Sequence, residues 1–289
     1  MILKYEHQKY SFTLSVSGIK NYRLRGKVMK ALEDIFRGFI ISDSPDVVLD
    51  FIFTDNINKY IVDTSFVRVK DVKVGETQTY FKDNEIEFLF DNKNKYKVFV
   101  SVTDNETFKS SLKIFNKAFK NNIEIQLTTF YYRVFLLFSQ LWNVENDSSY
   151  IHSSSIDTTD GAILFSADSG VGKSSLLFKL SQDSKVKFIA DDLTIVDSES
   201  KTFYQGRSLS VKPYHLKYYP FLSRLVSNTM SKLQSLQWRL IKDNRLTFRI
   251  PPQDLFENIT KESKIKRVVH LCNHSSDIFK INDITTEDW

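Results

Sequence analysis

Cysteine is nearly absent: Cys272 is the only one in 289 residues, so no internal disulfide can form and no second thiolate is available to share a metal. That usage suits a reducing compartment, and a cytoplasmic protein is the expectation. The opening MILKYEHQKY sets Lys4, Glu6, His7 and Lys9 where an export signal would need an unbroken apolar stretch. Long hydrophobic runs are lacking as well. The most apolar segment, Phe130 to Trp142, is interrupted by Arg133 and Gln140 and falls short of the roughly 20 apolar residues that cross a bilayer, so no transmembrane segment is expected. Charge of one sign is not concentrated anywhere. The 40 basic residues stand against 35 acidic ones, and a dispersed net charge of +5 lacks the dense stripe of a nucleic-acid surface, so no nucleic-acid partner is expected. Glycine is scarce too, at 8 residues, which makes its placement informative.

What is present is enough apolar content, 42%, to bury a sizeable core, and the length favours two medium domains over one. Residues 1–121 alternate apolar and polar with a period of two in YSFTLSV (10 to 16), VVLDFIF (47 to 53), EIEFLF (85 to 90) and YKVFVSV (96 to 102). These segments read as strands, DNKNK (91 to 95) as a hairpin turn, and Tyr22 to Phe36 as an intervening helix, giving an N-terminal α+β, β-rich domain. The boundary falls near Asn121, so that residues 122–289 form the second domain. It opens with a helix, Glu124 to Val144, whose apolar positions cover most of its circumference and imply burial on more than one side.

From Tyr150 the pattern becomes a strand (YIHSSSI), a turn, a second strand (AILFSA), a glycine loop, a helix from Lys173 to Ser181 and a third strand, KFIADDLTIV. Strand, helix and strand in that order favour a parallel sheet with its chemistry at the carboxyl ends of the strands. Residues 167 to 174, ADSGVGKS, fit the phosphate-binding P-loop (Walker A) pattern with Ala167 in place of the first glycine. Gly170 and Gly172 permit the backbone turns that bring amides from Ser169, Gly170, Val171, Gly172, Lys173, Ser174 and Ser175 onto a phosphate. Lys173 then reaches the terminal phosphates, and Ser174 offers its hydroxyl to Mg²⁺. The third strand delivers Asp191 and Asp192, adjacent carboxylates that point to opposite sides of a strand and so can divide metal binding from proton transfer. His152, read alone, is better taken as a half-buried strand histidine bonded to backbone.

Taken together, His152, ADSGVGKS and the ADD at 190 to 192 resemble the HPr kinase/phosphorylase superfamily, whose P-loop fold is shared with phosphoenolpyruvate carboxykinases. The resemblance covers roughly residues 150 to 196 and implies an α/β P-loop domain that uses ATP and Mg²⁺. It implies that Asp191 is the base for a substrate hydroxyl with His152 nearby to orient it, that Lys173 neutralises the transferred group, and that Ser174 and Asp192 hold Mg²⁺. One departure is plain. Where the family carries a glycine-rich signature with a further acidic metal contact, this chain has FYQGRSLSVKP, with a lone Gly206 and Arg207 and no carboxylate. In this the chain is closer to HPr-kinase-like proteins encoded with ribosomally made peptides, lasso peptide serine kinases among them, as is the late RIPPQDLF at Arg249 to Phe256. Arg207 and Arg249 are the candidate substrate contacts, although Arg249 also reads as an exposed arginine beside a proline turn.

The expected function is therefore an ATP-dependent kinase, a phosphotransferase acting on a serine-type hydroxyl of a precursor peptide, protein or small molecule. The alternative is a nucleotide-binding scaffold or ATPase accessory protein of a peptide-biosynthesis pathway, without phosphotransfer. Homo-oligomerisation is left open. Phe221 to Ile241 has the apolar stripe of a core-facing helix or a lid. The YHLKYYP before it, residues 214 to 220, reads as a weak candidate for stacking on adenine or a peptide.

Overall fold

The computed structural model of the chain describes residues 2–7, 10–41, 47–83, 85–104, 122–229 and 247–272. The expected boundary at Asn121 and residues 230–241 of the expected helix at Phe221 to Ile241 lie outside the described residues.

Alternation builds the first sheet. Its strands are β1 (Ile2–His7), β2 (Tyr10–Gly18), β3 (Ile40–Ile41), β4 (Leu49–Thr54), β5 (Val67–Val69), β6 (Val72–Val74), β7 (Gln78–Asp83), β8 (Ile86–Asp91) and β9 (Lys97–Ser101). They lie in the order β3-β1-β2-β4-β9-β8-β7-β6-β5, parallel between β2, β4 and β9 and antiparallel elsewhere. Along β2, Tyr10, Phe12, Leu14 and Val16 fall on one face and are buried. The DNKNK segment turns as expected, with Asp91 accepting from the amides of Lys93 at 3.0 Å and Asn94 at 3.1 Å. β5 and β6 carry VRV and VKV, too short and too charged to announce themselves, and such short charged strands are a common way to end a sheet.

Helix α1 (Tyr22–Ile35) starts where Asn21 accepts from the amides of Arg23 and Leu24, and it buries Leu24, Val28 and Leu32. The expected second helix is also found. It runs as α2 (Asn122–Phe130), one π turn (Tyr131–Phe135) and α3 (Leu136–Glu145). Its packing differs from the expectation in two ways. Ile123, Leu127, Phe130, Val134, Phe135 and Phe138 join the core of the first sheet, so the two cores part after this helix and not at 121/122. Burial does reach a second side, where Ser139 and Asn143 bond to Tyr150 and Ser148, but the apolar Leu137, Leu141 and Val144 are exposed. Aromatic rings dominate that core, with Phe135 lying 4.9 Å from both Phe12 and Phe36, edge to face.

The second sheet has β10 (Ser148–Ile151), β11 (Ser153–Thr158), β12 (Gly161–Ala167), β13 (Lys187–Ala190), β14 (Thr194–Asp197), β15 (Lys201–Phe203) and β18 (Glu262–Leu271). A separate pair, β16 (Leu209–Val211) and β17 (Phe248–Ile250), stands beside it. The order β10-β14-β15-β18-β12-β11-β13 returns on itself, because β10 runs on into β11 and β13 into β14. The expected parallel sheet is corrected here. β11 lies between β12 and β13 and is antiparallel to both, and the parallel pairing is β12 with β18. The connecting helix, α4 (Lys173–Leu180), is as expected. The short helices α5 (Pro213–Tyr218), α6 (Leu222–Thr229) and α7 (Pro252–Leu255) complete this half. In α5, His215 is buried with its ring edge-on to Phe178 at 4.8 Å, so it serves the core, while Tyr214 and Tyr218 stay exposed. The halves are joined at Gly38, whose carbonyl accepts from the Tyr204 hydroxyl and from Gln253 Nε2 at 2.8 Å.

Phe135→Ala removes the ring that ties helix to sheet. It is expected to lower the unfolding free energy by about 3–5 kcal/mol, read from the urea midpoint at unchanged slope.

Candidate active site

β12 turns Ala162, Leu164 and Phe165 into the core and ends at Ala167. Ala167 keeps ordinary strand backbone, which explains why the first position of the loop pattern needs no glycine here. The glycines that matter are Gly170 at φ 89° and Gly172 at φ 118°. Gly172 is the N-cap of α4 and supplies no side-chain cap to its first amides. Those N–H groups stand at the positive end of the helix, beside the exposed loop residues Ser169 and Gly170 and half-buried Val171 and Ser175, an arrangement that could take an anion. Lys173 is buried, and its ammonium donates to the carbonyls of Ala167 at 2.6 Å and Asp168 at 3.5 Å, which holds it along the inside of the loop.

Opposite the loop, the chain breaks twice at one level. Residues 148–158 pair antiparallel with 187–197, and the pairing lapses between Ile151↔Thr194 and Ser155↔Ala190. His152 occupies the gap on one side and Asp191 and Asp192 on the other. The expected third strand is thus two strands, and Asp192 takes φ 69° between them. A short polar residue tolerates that conformation, and the kink sends the two carboxylates different ways.

Asp191 goes inward. It is 3% exposed and accepts from Ser154 Oγ at 2.8 Å, while Ser174 Oγ lies 3.2 Å from each of its oxygens. Burial pushes its pKa up, Asp192 adds to the rise, and the hydrogen bonds from Ser154 and Ser174 together with the charge of Arg207 oppose it. Asp192 goes outward, with Oδ1 at 3.2 Å from His152 Nε2 and Oδ2 in an ion pair with Arg207 at 2.6 Å. The pairings therefore reverse the expectation: His152 stands by Asp192 and not Asp191, and the P-loop hydroxyl of Ser174 stands by Asp191 and not Asp192.

Arg207 is largely shielded, its side chain 13% exposed. Burial opposes its charge, but Tyr131, Tyr132 and Asp192 outweigh that and hold the guanidinium protonated. It donates to the Tyr132 hydroxyl at 3.2 Å, and half-buried Arg249, on β17, donates to the same oxygen at 3.4 Å. All the candidate residues except Arg249 are thus linked directly or through a neighbour to the loop and the acidic pair, and Arg249 joins through Tyr132.

Two participants were not foreseen. Ser154 had only its nearness to His152 as a signal, and the break at His152 cancels strand alternation there: Ser154 is buried against Asp191 while His152 is exposed beside Asp192. Tyr132 had none, because it arrives from a helix packed on the other sheet. Its place depends on the π turn, which buries Tyr131 while leaving Tyr132 44% exposed toward the arginines.

Because the Asp191 pKa lies above the ordinary 3.8 in the folded protein, ionisation works against folding. Its contribution is favourable below pH 3.8 and is lost as pH rises through the raised value. Asp191→Asn is expected to raise the melting temperature at neutral pH, with the gain shrinking toward pH 3.8 in melts across the range. A gain that is constant with pH would remove burial of the charge as the cause.

No described helix is long and apolar enough to cross a membrane. No protein-family model matches the sequence, and comparison with curated proteins finds no match either.

Proposed function

We propose that the chain is an ATP-dependent kinase of the HPr-kinase-like type that transfers the γ-phosphoryl group to a serine-type hydroxyl. The observation that carries this reading is the split acidic pair: one carboxylate buried against the P-loop serine, the other half-buried and held by a histidine and an arginine. A protein that only binds nucleotide has no use for the second carboxylate, whereas a kinase needs a group facing a foreign hydroxyl.

The proposed roles follow the contacts. The loop amides from Ser169 to Ser175 and the Lys173 ammonium cradle the phosphates. Ser174 and Asp191 are the donors for Mg²⁺, since one hydroxyl and one carboxylate beside the phosphates form the usual protein share of such a site. When bound, Mg²⁺ neutralises charge on the phosphates. Asp192 accepts the proton of the acceptor hydroxyl as its oxygen attacks the γ-phosphorus and the bond to the β-phosphate oxygen breaks, releasing ADP. A carboxylate offers about four lone-pair positions and two are engaged here, so capacity for that proton remains. His152, whose side chain is 53% exposed, positions the carboxylate by donating from Nε2, and Asp192 afterwards gives the proton up to solvent.

One contact favours the alternative of a scaffold or slow ATPase. The Arg207 guanidinium sits on Asp192 Oδ2 at 2.6 Å and so occupies one of the two oxygens that would take the proton. Incubation with labelled ATP and serine-bearing peptides, followed by mass spectrometry, separates the two: phosphate on serine supports the kinase, and ADP without phosphoserine supports the scaffold.

Asp192→Asn is expected to lower kcat by about 10²–10⁴ while leaving the Kd for Mg·ATP within about tenfold. Near-normal turnover in this variant would exclude Asp192 as the base. Lys173→Ala is expected to weaken binding of a fluorescent ATP analogue by about tenfold or more, because a charge-assisted contact to phosphate is lost.

A further inference from the structure

The two arginines make an arrangement that a nucleotide site does not require. Arg207 and Arg249 both donate to the single hydroxyl of Tyr132, and their guanidinium carbons lie 5.7 and 6.0 Å from the centre of its ring. Two like charges are thus drawn to one neutral oxygen in a cleft lined by Tyr131, Tyr132, Arg207, Ser208, Ser210 and Arg249. Their charge is not balanced. Arg207 is paired with Asp192, but Arg249 has no carboxylate partner among the described residues. The sequence places Arg249 there by strand pairing, since β17 sets it opposite Ser210 of β16, and the π turn supplies Tyr132 from the other half of the molecule.

The position of the cleft matters as much as its charge. The contacts run from the P-loop Ser174 to Asp191, from the neighbouring Asp192 to Arg207, and through Tyr132 to Arg249. Arg249 is therefore joined to the proposed base through Tyr132 and Arg207, with no contact to the phosphate loop among the described residues. A guanidinium there presents spare donors in a planar fork, which suits a carboxylate or a phosphate oxygen pair.

We infer that Arg249, with Arg207 and Tyr132, forms an anion subsite for the acceptor, and that the accepting hydroxyl is carried by a molecule with an acidic group close beside it. Its assignment to an acceptor rests on the kinase reading, whereas binding of an acidic group there does not. Ser208, Ser210 and Ile35 also line the cleft, and its two guanidinium groups are what select an anion.

The test titrates two tripeptides, acetyl-Glu-Ser-Glu-amide and acetyl-Gln-Ser-Gln-amide, into the full chain with the P-loop saturated by Mg·ADP. The acidic peptide is expected to bind about tenfold tighter, with the preference shrinking at high salt and largely lost in Arg249→Gln. Arg249→Lys, which keeps the charge but not the fork, is expected to retain part of it. Equal affinity of the two peptides for the unaltered protein, or no saturable binding of the acidic one, overturns the inference whether or not the variants fold. With Mg·ATP in place of Mg·ADP the two proposals separate. Binding of the acidic peptide without phosphoserine leaves the subsite and removes the kinase; transfer to both peptides at equal kcat/KM leaves the kinase and removes the subsite.

Discussion

A carboxylate held out of water governs the second half of this molecule. Asp191 is almost wholly buried, and an ionised oxygen in such a place is costly unless donors surround it. Ser154 and Ser174 supply them from opposite directions, one from the strand beside it and one from the first turn of the helix after the glycine loop. The carboxylate thereby ties three elements together: the broken ladder, the loop and the helix. Nothing apolar of similar size would do the same, because it could not accept from both hydroxyls.

The break in the ladder is the second consequence of that arrangement. Continuous pairing from 148 to 158 would have sealed His152 and the acidic pair inside a regular sheet, with hydrogen bonds satisfied by backbone alone. The lapse at one level on both strands frees a left-handed conformation for Asp192 and turns its side chain toward His152 and Arg207. Local backbone strain is thus found where two carboxylates are driven apart, the place where strain is most often retained for a purpose. Asp192 and Asp191 are neighbours in the chain with different degrees of contact with water, and that difference is what lets them take different chemistry.

The first sheet contributes more than a scaffold. Its core holds the helix whose π turn presents Tyr132 to the two arginines, and the Gly38 carbonyl accepts bonds from Tyr204 and Gln253 of the other half. The aromatic cluster about Phe135 therefore bears indirectly on the candidate site, by fixing the helix from which Tyr132 projects.

Several elements were legible from residues alone because their causes are local. Alternation marked β2, β4, β8 and β9, the interruption of that alternation from Tyr22 to Phe36 was read as the helix that is α1, and two glycines before a lysine marked the loop. The acidic pair could be named for the same reason, whereas His152 and the two arginines were named through the family resemblance. Partners were a different matter. Strand alternation says that adjacent carboxylates diverge, but not which one turns toward Ser174, and the answer came from the kink at Asp192. Likewise strand–helix–strand order did not reveal that β11 lies between β12 and β13, since pairing with an earlier segment leaves no mark in the order of elements. Chain chemistry by itself determined which groups are available and which turns are possible; only the packed structure decided which groups meet, because contacts such as Tyr132 with Arg249 join segments that share nothing in sequence.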